Sequence, residues 1–523
     1  MISAAIAVAS GSGPCTDFWR LFLLFSDISD RERRQMLSVI QGLKREETCF
    51  DIGDMVLEAG GTGLSHEQSA SDVGAAMPFW NTLRISPSQI IILGYFFFIV
   101  FGTGLLMLPG TTRDGLGADF GDALFTATSA ITVTGLVVHD TVRYWSPFGQ
   151  FILLMLIQAG GLGVMSMAVA VAVLAGQKIG FRLRWVMQES ISAPQLAGIV
   201  RLTGFIFRTV LAVELTGTVL LALRFCPEMG LGQGLWMAFF HAVSAFCNAG
   251  FDLMGAAHPY SSLTAYAADP LVCTVIALLI ATGGIGFLTL DDIRSYGFDV
   301  RRYHLQSKLV LITSMLLLVV GFLFFFFWEF QRESWNMSSS EAALASMFHA
   351  VSPRTAGFNS VDLAALSPLG KLFTILLMLV GAAPGSTGGG FKVTTLAVLL
   401  LGLMSIFLHR RDVRGFGRRL TDMVLRRASG IFMFYLLLFL AGGMVISALD
   451  ELPLMTAFFE AASAIGTVGL SLGATPELSD ASRGILILLM YFGRVGSLTV
   501  LFAVSSGLRQ DEFRYPSEDV AVG

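Results

Sequence analysis

Charged residues are scarce in this chain. Of its 523 residues, 14% are Asp, Glu, Lys or Arg, whereas 54% are hydrophobic, and the mean hydropathy is +0.70. A soluble protein of this length has too little interior to bury so much apolar surface. The composition therefore excludes the ordinary soluble classes and predicts a protein that crosses a membrane several times.

Several common chemical signatures are also missing. The five cysteines have no paired spacing and no CxxC motif, which argues against a disulfide framework and a zinc site. The sequence has no Walker A, HExxH or GxSxG motif and no dinucleotide-binding fingerprint in a strand–helix setting. The apolar N-terminus lacks a basic region, so it gives little support to a cleaved signal peptide. We expect no enzymatic activity, no enzymatic cofactor and no nucleic-acid partner.

One short sequence unit occurs four times. It reads Phe-x-Ala-x-Ser, a short gap, and then small or polar residues that end in glycine followed by Leu or Phe. The four glycines lie 115, 107 and 112 residues apart. The four loops consist of Thr132, Val133, Thr134 and Gly135; Cys247, Asn248, Ala249 and Gly250; Arg354, Thr355, Ala356 and Gly357; and Gly466, Thr467, Val468 and Gly469. The repeat predicts four similar loops around a common axis.

Long apolar segments alternate with these repeats. We predict eight spans, near 89–109, 147–175, 199–224, 269–290, 306–329, 370–403, 429–448 and 482–506. The lead-ins to the loops fall near 120–136, 233–251, 341–358 and 453–470. Each lead-in helix has only about a dozen residues, whereas a span needs about 20. Each is therefore expected to enter the membrane and return on the same side.

The placement of cations predicts the orientation. The connections between repeats carry Lys178, Arg182, Arg184, Arg294, Arg301, Arg302, Lys308, Arg410, Arg411, Arg414, Arg418, Arg419, Arg426 and Arg427. Segments on the side of the loops have only scattered cations. By the positive-inside rule, these connections and both termini are cytoplasmic, and the loops enter from outside. We expect a multi-pass protein of the cell membrane.

The repeats divide the chain into segments. We assign 1–85 to an N-terminal cytoplasmic or interfacial extension, with short helices in 17–47 and a polar loop in 59–75. The remaining segments are 86–178 (pore repeat 1), 179–300 (repeat 2), 301–412 (repeat 3, with a broken second helix), 413–510 (repeat 4) and 511–523 (a cytoplasmic tail).

Glycine is concentrated in the second span of each repeat. In repeat 3, residues 381–390 contain a proline and many small residues, which predicts a helix broken in mid-membrane. This segment includes Gly385, Ser386, Thr387, Gly388, Gly389 and Gly390 and is followed by Lys392; Arg494 stands at the corresponding place in repeat 4. For Gly160, Gly161, Gly163, Gly283, Gly284 and Gly286, close helix packing is the favoured interpretation.

Four non-helical loops at membrane depth predict a polar axis between them, because hydrocarbon does not tolerate exposed backbone groups. Carbonyl oxygens turned toward such an axis can replace the hydration shell of a cation. Helix C-termini at Ile131, Phe246, Pro353 and Ile465 add partial negative charge. A cation pore is the resulting prediction.

These motifs resemble the superfamily of potassium transporters that includes bacterial Trk and Ktr membrane subunits and plant HKT proteins. The resemblance covers roughly residues 85–510 and includes Ser-Pro-Arg-Thr-Ala-Gly-Phe from Ser352 and Gly-Arg-Val-Gly-Ser-Leu-Thr from Gly493. It implies an all-α membrane protein with pseudo-fourfold M1–P–M2 repeats, eight transmembrane helices and four re-entrant helices around a central pore. It also implies a homodimer held by a cytosolic ring of nucleotide-binding subunits.

Glycine in all four loops implies K⁺ as the transported ion, whereas Cys247 departs from the polar amide that is more usual in the family. The resemblance assigns 381–390 to an intramembrane gate and Arg494 to a cationic residue beside the ion path. A sodium-preferring protein, a K⁺/Na⁺ or K⁺/H⁺ symporter, and a non-conducting receptor or scaffold stay open as alternatives.

Three smaller questions are left by the sequence. The interval from Ser352 to Gly357 is one residue shorter than in the other repeats, so the third loop need not superpose on its siblings. His241 and His349 occupy equivalent positions, where hydrogen bonding or packing is favoured over a metal or proton site. Asp122, Asp140, Asp252 and Asp362 are placed near the external mouth, either to concentrate cations or as ordinary loop carboxylates.

Overall fold

The computed structural model describes residues 86–163, 185–188, 199–256, 258–496 and 518. The expectations for the N-terminal extension, for the connection that carries Lys178, Arg182 and Arg184, and for nearly all of the tail lie outside these residues. The described helices of ten residues or more are α1 (Pro87–Leu106), α2 (Phe120–Thr132), α3 (Pro147–Gly161), α4 (Ile199–Met229), α5 (Leu231–Phe246), α6 (Pro270–Gly284), α7 (Phe287–Tyr296), α8 (Leu305–Phe324), α9 (Ser339–Val351), α10 (Pro368–Leu379), α11 (Val393–Phe407), α12 (Asp422–Asp450), α13 (Leu454–Gly466) and α14 (Asp480–Val495).

Shorter elements connect them. A π-helical turn, Phe325–Glu329, extends α8, and a one-turn helix spans Thr141–Tyr144. Short 3₁₀ helices are Thr264–Tyr266, Val300–Arg302, Glu333–Trp335, Leu363–Ala365 and Thr475–Glu477. Strands β1 (Arg414–Gly415) and β2 (Arg418–Arg419) pair antiparallel in the predicted cytoplasmic connection between repeats 3 and 4.

Helices α1, α4, α8 and α12 are the first helices of the four repeats. Each is long and apolar enough to cross a membrane, and only 28–33% of each apolar span is buried inside the protein. Their outward surfaces carry large apolar side chains such as Phe96 and Phe97 on α1. An apolar outer surface of this kind suits contact with lipid.

Helices α2, α5, α9 and α13 are the predicted short lead-ins. They have 13, 16, 13 and 13 residues, as the sequence predicts. Their C-terminal halves are buried, and they end within two residues of the predicted positions. The four helices therefore deliver the four loops to the interior of the molecule.

The second helices of repeats 1, 2 and 4 end close to glycines with positive φ. Helices α3, α6 and α14 stop just before Gly163, Gly286 and Gly496, which have φ angles of +81°, +92° and +86°. The apolar segment predicted over 269–290 is bent, because α7 leaves α6 at an angle of 97°. Positive φ cannot continue a right-handed helix, and glycine adopts it without steric cost. In repeat 3 the predicted break is confirmed, between α10 and α11.

Two large apolar clusters form most of the core among the described residues. One is built mainly from repeats 1 and 2, and the other mainly from repeats 3 and 4. Each also takes side chains from the opposite half: Phe348 and Phe358 join the first, whereas Phe125 and Leu136 join the second. These exchanged residues belong to the lead-in helices and loops, so the core holds the four loops against one another.

Candidate functional site

The four repeat glycines lie in a closed ring. A Cβ atom built on each glycine would come within 3.0 Å of a carbonyl oxygen in the next loop along the chain. The pairs are Gly135 with Ala249, Gly250 with Ala356, Gly357 with Val468, and Gly469 with Thr134, which closes the circle. Real Cβ atoms essentially never approach so closely. Each loop is thus packed backbone to backbone against its neighbours, at a distance that only glycine permits.

Each loop also has a left-handed residue two positions before its glycine. Val133, Asn248, Thr355 and Thr467 have φ angles of +56°, +59°, +72° and +50°. Left-handed backbone is uncommon for residues other than glycine, and for β-branched residues it costs energy that the surroundings must supply. With the positive-φ glycine, each loop thus has two residues outside the right-handed region. Where such a loop turns its carbonyls toward a common axis, they can bind a desolvated cation.

The serine of each lead-in anchors the loop that follows. In repeats 1 and 4, Ser129 and Ser463 accept hydrogen bonds from the backbone N–H groups of Gly135 and Gly469, both at 3.0 Å. All four residues are in equivalent positions of the sequence repeat. The serine therefore holds the left-handed glycine in place, which explains its recurrence.

Repeats 2 and 3 use the same serine in a different way. The hydroxyl of Ser244 donates to the carbonyl of Phe251 at 2.7 Å, and that of Ser352 donates to the carbonyl of Phe358. Both carbonyls belong to the aromatic residue directly after the glycine. The anchor is thus shifted by one residue, but it still ties the end of the loop to the lead-in helix.

The shorter third loop keeps the pattern of its siblings. Its backbone closes with Ala356 N–H donating to Ser352 O at 3.0 Å, one residue tighter than Thr134 N–H to Ser129 O at 2.8 Å. This tighter turn compensates for the missing residue. Gly357, with a φ of +80°, therefore still lies in the ring. The open question about this loop is answered in favour of equivalence.

The first residues of the loops differ in chemistry and in partner. The guanidinium of Arg354 donates to the hydroxyl of Ser314 on α8 at 3.0 Å, so this side chain points away from the ring. Thr132 bonds within its own repeat, to Thr128 O at 2.7 Å and to the hydroxyl of Thr134 at 2.8 Å. At Arg354 and Thr132, the side chains bond to the surrounding helices or loop, and the backbone is left free to line an ion path.

The histidines of repeats 2 and 3 serve hydrogen bonding and packing. His241 bonds to Met237 O at 2.7 Å and accepts from Leu253 N–H at 3.4 Å. His349 lies 3.2 Å from the hydroxyl of Thr374. Among the described residues, no group of three or more His, Cys, Asp or Glu could hold a metal ion.

The loop between α10 and α11 lies directly against the bases of the lead-in helices. The hydroxyl of Thr387 donates to Phe246 O at 3.0 Å, and Gly389 N–H donates to the hydroxyl of Thr467 at 3.1 Å. Gly390 N–H donates to Gly493 O at 3.0 Å. The loop of repeat 3 is therefore hydrogen-bonded to the lead-in helix of repeat 2, and to the fourth loop and α14 of repeat 4.

The same loop fills the break between α6 and α7. Ala383 N–H donates to Gly284 O at 3.0 Å, and Phe287 N–H donates to Gly385 O at 2.9 Å. A Cβ on Gly286 would lie 2.8 Å from Pro384 O. Gly286 is therefore both a left-handed helix terminus and a close contact, and its interpretation as helix packing alone was incomplete.

Lys392 binds the loop from which it emerges. Its ammonium donates to the carbonyls of Gly388 and Gly389 at 2.8 and 3.3 Å. The side chain thus satisfies two backbone carbonyl groups of the broken segment.

Arg494 joins three repeats. From α14 it donates to the carbonyl oxygens of Thr387, in the broken segment of repeat 3, and of Gly160, on α3 in repeat 1; a longer bond of 3.4 Å reaches Gly161 O. Among the described ion pairs, none includes Arg494. Its positive charge is thus balanced by carbonyl dipoles beneath the ring.

Two of the carboxylates predicted near the external mouth, Asp122 and Asp140, have structural roles. Asp122 pairs with His139 at 2.7 Å and with Arg483 at 3.4 Å, which links repeats 1 and 4. Asp140 accepts from Tyr260 N–H at 2.8 Å. Of the two interpretations that the sequence left open for these acids, these bonds favour ordinary loop carboxylates.

One residue escaped the sequence analysis. Glu214 lies in the middle of α4 and is only 4% exposed. It contacts Gln158 on α3 and Cys247 in the second loop. The sequence contains the evidence for it, because Glu214 is an acidic residue inside a predicted span. An ionisable residue within a membrane span indicates a functional site.

These features define a multi-pass helical membrane protein whose centre is a ring of four backbone loops. The chain belongs to the TrkH family of cation transport proteins, which matches residues 86–514. The membership predicted from the repeats is confirmed.

Individual relatives agree with this assignment. The chain is 38% identical over 447 residues to the potassium/sodium uptake protein NtpJ of Enterococcus hirae, covering 84% of this chain and 98% of that protein. It is 37% identical over 443 residues to the Ktr system potassium uptake protein B of Bacillus subtilis, again covering 84% and 98%. The fold is similar to the crystal structure of the potassium transporter TrkH from Vibrio parahaemolyticus, with a TM-score of 0.63, 20% identity, and coverage of 95% and 96%.

Proposed function

We propose that this protein takes up K⁺ through a pore formed by the four loops. The pore has pseudo-fourfold M1–P–M2 symmetry, with eight spans and four re-entrant helices. The observation that carries the proposal is the closed ring of glycines, in which each loop touches the next and the fourth touches the first. Four separate loops that only packed a core would have no reason to close a circle around one axis.

The choice of ion rests on the loops and on the relatives. Glycine at all four ring positions permits the backbone carbonyls to provide the ligands, and K⁺ is the ion whose hydration shell such carbonyls replace. The Ktr protein of Bacillus subtilis is named for potassium uptake, whereas NtpJ of Enterococcus hirae is named for potassium and sodium. Sodium transport, alone or coupled to K⁺, is therefore the second candidate function.

The loop between α10 and α11, residues 380–392, is proposed as the gate, and we call it the segment beneath the ring. It lies across the bases of two lead-in helices, and it contains the residues Gly385 to Gly390 that the sequence singled out. Arg494 and Lys392 both bind its carbonyl groups. A positive charge held in this place raises the barrier for a cation, so conduction requires the segment and Arg494 to move.

We further propose the cellular setting that the family resemblance implies. The protein is a homodimer in the lipid bilayer of the cell membrane, with cytoplasmic termini, and it works with a cytosolic nucleotide-binding regulatory subunit. The cation-rich connections support this orientation, and the segment with β1 and β2 offers a basic surface for such a subunit.

Ion flux into proteoliposomes that contain the purified chain tests the function. We expect K⁺ and Rb⁺ to enter faster than Na⁺ and Li⁺, and Gly135→Ser to weaken this preference, since a side chain there meets the second loop. Gly121→Ser is the matched control, because a Cβ on Gly121 has no atom within 4 Å. Equal K⁺ and Na⁺ flux that Gly135→Ser does not alter would overturn the selectivity claim.

A symporter and a non-conducting protein can be recognised in the same assay. Uptake of K⁺ that depends on a Na⁺ or proton gradient would establish a symporter. A folded dimer without flux of any ion, even after addition of a cytosolic extract with nucleotide, would favour the receptor or scaffold.

A further inference from the structure

Glu214 is a carboxylate buried in the middle of an apolar helix. It is 4% exposed, and it lies on α4, one of the four helices that are able to cross the membrane. Among the described ion pairs, none includes Glu214. A carboxylate in such surroundings is costly and is usually retained for a function, with a partner that can be named.

Its partners lie on two other elements. The side-chain amide of Gln158, on α3, donates to Glu214 Oε2 at 3.3 Å. The thiol of Cys247 lies 3.6 Å from Gln158 Oε1 and 3.9 Å from Glu214 Oε1. One cluster therefore joins repeat 1, the first helix of repeat 2 and the second loop of the ring.

Cys247 has little room to move within this cluster. It is fully buried, and a Cβ on Gly161 would lie 2.5 Å from its sulfur, so the thiol is packed against the backbone of α3. On its other side it faces Gln158 and Glu214. A thiol is a weak hydrogen-bond donor, so it restrains its partners little. Gln158 and Glu214 are fixed on two helices, so these two side chains and the backbone of α3 limit where the thiol can lie.

The position of Cys247 affects the ring directly. Cys247 opens the second loop and is followed at once by the left-handed Asn248. Two residues later, the Ala249 carbonyl forms the close contact with Gly135. Because the contacts in the ring are backbone to backbone, a displacement at Cys247 has no flexible side chain to absorb it.

We propose that Glu214, together with Gln158, is a positioning residue that acts through Cys247 to set the geometry of the second loop and hence the discrimination between K⁺ and Na⁺. This inference rests on the proposed transport function. Buried polar groups with few alternative partners form rigid networks, so the pair holds one loop at a fixed distance from its neighbours. The other loops have different supports, such as Ser314 behind Arg354.

The test is a double-mutant cycle on ion selectivity in proteoliposomes. Glu214→Leu is expected to lower the ratio of K⁺ to Na⁺ flux about tenfold, the effect of losing one buried hydrogen bond. Glu214→Gln keeps the size and an acceptor oxygen, and should preserve most of the ratio. In a Cys247→Ala background, Glu214→Leu should have little further effect, because the residue through which it acts is gone.

Two further variants complete the design. Gln158→Leu removes the other member of the pair from a different helix, and it should reproduce the loss of selectivity if Glu214→Leu fails to give a folded protein. Thr216→Val is the control, since Thr216 is an exposed polar residue on the same helix. Size-exclusion profiles identify variants that do not fold.

The possible failures can be told apart. A wild-type protein without K⁺ preference would overturn the proposed function. A selective wild type whose ratio is unchanged in Glu214→Leu and Gln158→Leu would overturn this inference alone. Equal losses from Glu214→Leu with and without Cys247→Ala would also overturn it, because Glu214 would then act by another route.

Discussion

Arg494 and Thr387 are bonded across two repeats: the guanidinium on α14 donates to the Thr387 carbonyl in the broken segment of repeat 3. Thr387 in turn donates its hydroxyl to Phe246 O, at the C-terminus of the second lead-in helix. The two bonds form one chain from repeat 4 through the segment beneath the ring to the base of a loop. Movement of Arg494 therefore cannot leave the segment unaffected.

Loss of Arg494 should open the path. In Arg494→Gln, the positive charge beneath the ring and its bonds to Thr387 and Gly160 are removed, so the resting K⁺ flux should rise about tenfold, equivalent to about 1.4 kcal/mol in barrier height. Rb⁺ uptake into proteoliposomes without a regulatory subunit measures this. Arg483→Gln, which removes a cation from the opposite end of the same helix, is the control. A resting flux unchanged by Arg494→Gln would contradict the proposed role.

Much of this site could be predicted from the sequence, because its elements repeat. Four copies of Phe-x-Ala-x-Ser before a glycine located every loop, and the ring contains Gly135, Gly250, Gly357 and Gly469 as expected. Arg494 was also identified as a candidate, although its partners were not. A hydrogen bond between residues 107 positions apart leaves no local signature in a sequence.

The breaks in the second helices were harder to predict. Gly163 and Gly286 were assigned to helix packing, since glycine in a membrane helix has that use most often. The packing interpretation holds for Gly160 and Gly283, where a Cβ would collide with Ile131 O and Phe246 O. A sequence does not tell whether a glycine is needed for its small size or for its φ angle, and Gly286 is needed for both.

The ring contacts can be tested apart from backbone strain. Gly469 and Gly473 have nearly equal φ angles, +94° and +93°, and lie four residues apart. A Cβ on Gly469 would collide with Thr134 O, whereas one on Gly473 would have no atom within 4 Å. Alanine at either position strains the backbone by about 1 kcal/mol. Only Gly469→Ala should also reduce K⁺ over Na⁺ selectivity, measured as relative flux. If Gly469→Ala and Gly473→Ala changed selectivity equally, the ring glycines would be needed only for their backbone conformation.

Lys392 and Arg494 should act together on the segment beneath the ring. Lys392 binds the carbonyls of Gly388 and Gly389, and Arg494 binds that of the adjacent Thr387. Lys392→Met should loosen the segment and raise the resting flux. Because the two residues restrain adjacent carbonyls of one short segment, the double variant should raise the resting flux by less than the product of the single effects. Lys371→Met, at the outer end of α10, is the control. A double variant with fully multiplicative effects would show that the two cations act separately.

Stability should depend on pH through Asp252, in the segment after the second loop. Burial is the main cause that raises the pKa of this carboxyl to about 7, and the nearby Asp140 carboxylate adds to it, while the bond from Met254 N–H opposes it. The folded state therefore keeps a proton that the unfolded chain, with an ordinary pKa of 3.8, has already released. Stability from this group is present below the unfolded pKa and is lost as the pH rises toward about 7.

Thermal unfolding in detergent at several pH values measures this dependence. The wild type should melt at a lower temperature near pH 8 than near pH 5, and Asp252→Asn, which cannot ionise, should reduce the difference. Asp362→Asn is the control, because Asp362 is exposed and only caps a short helix. The conclusion is wrong if Asp252→Asn and Asp362→Asn keep the same pH dependence as the wild type. If it holds, a lower pH stabilises the segment that follows the second loop.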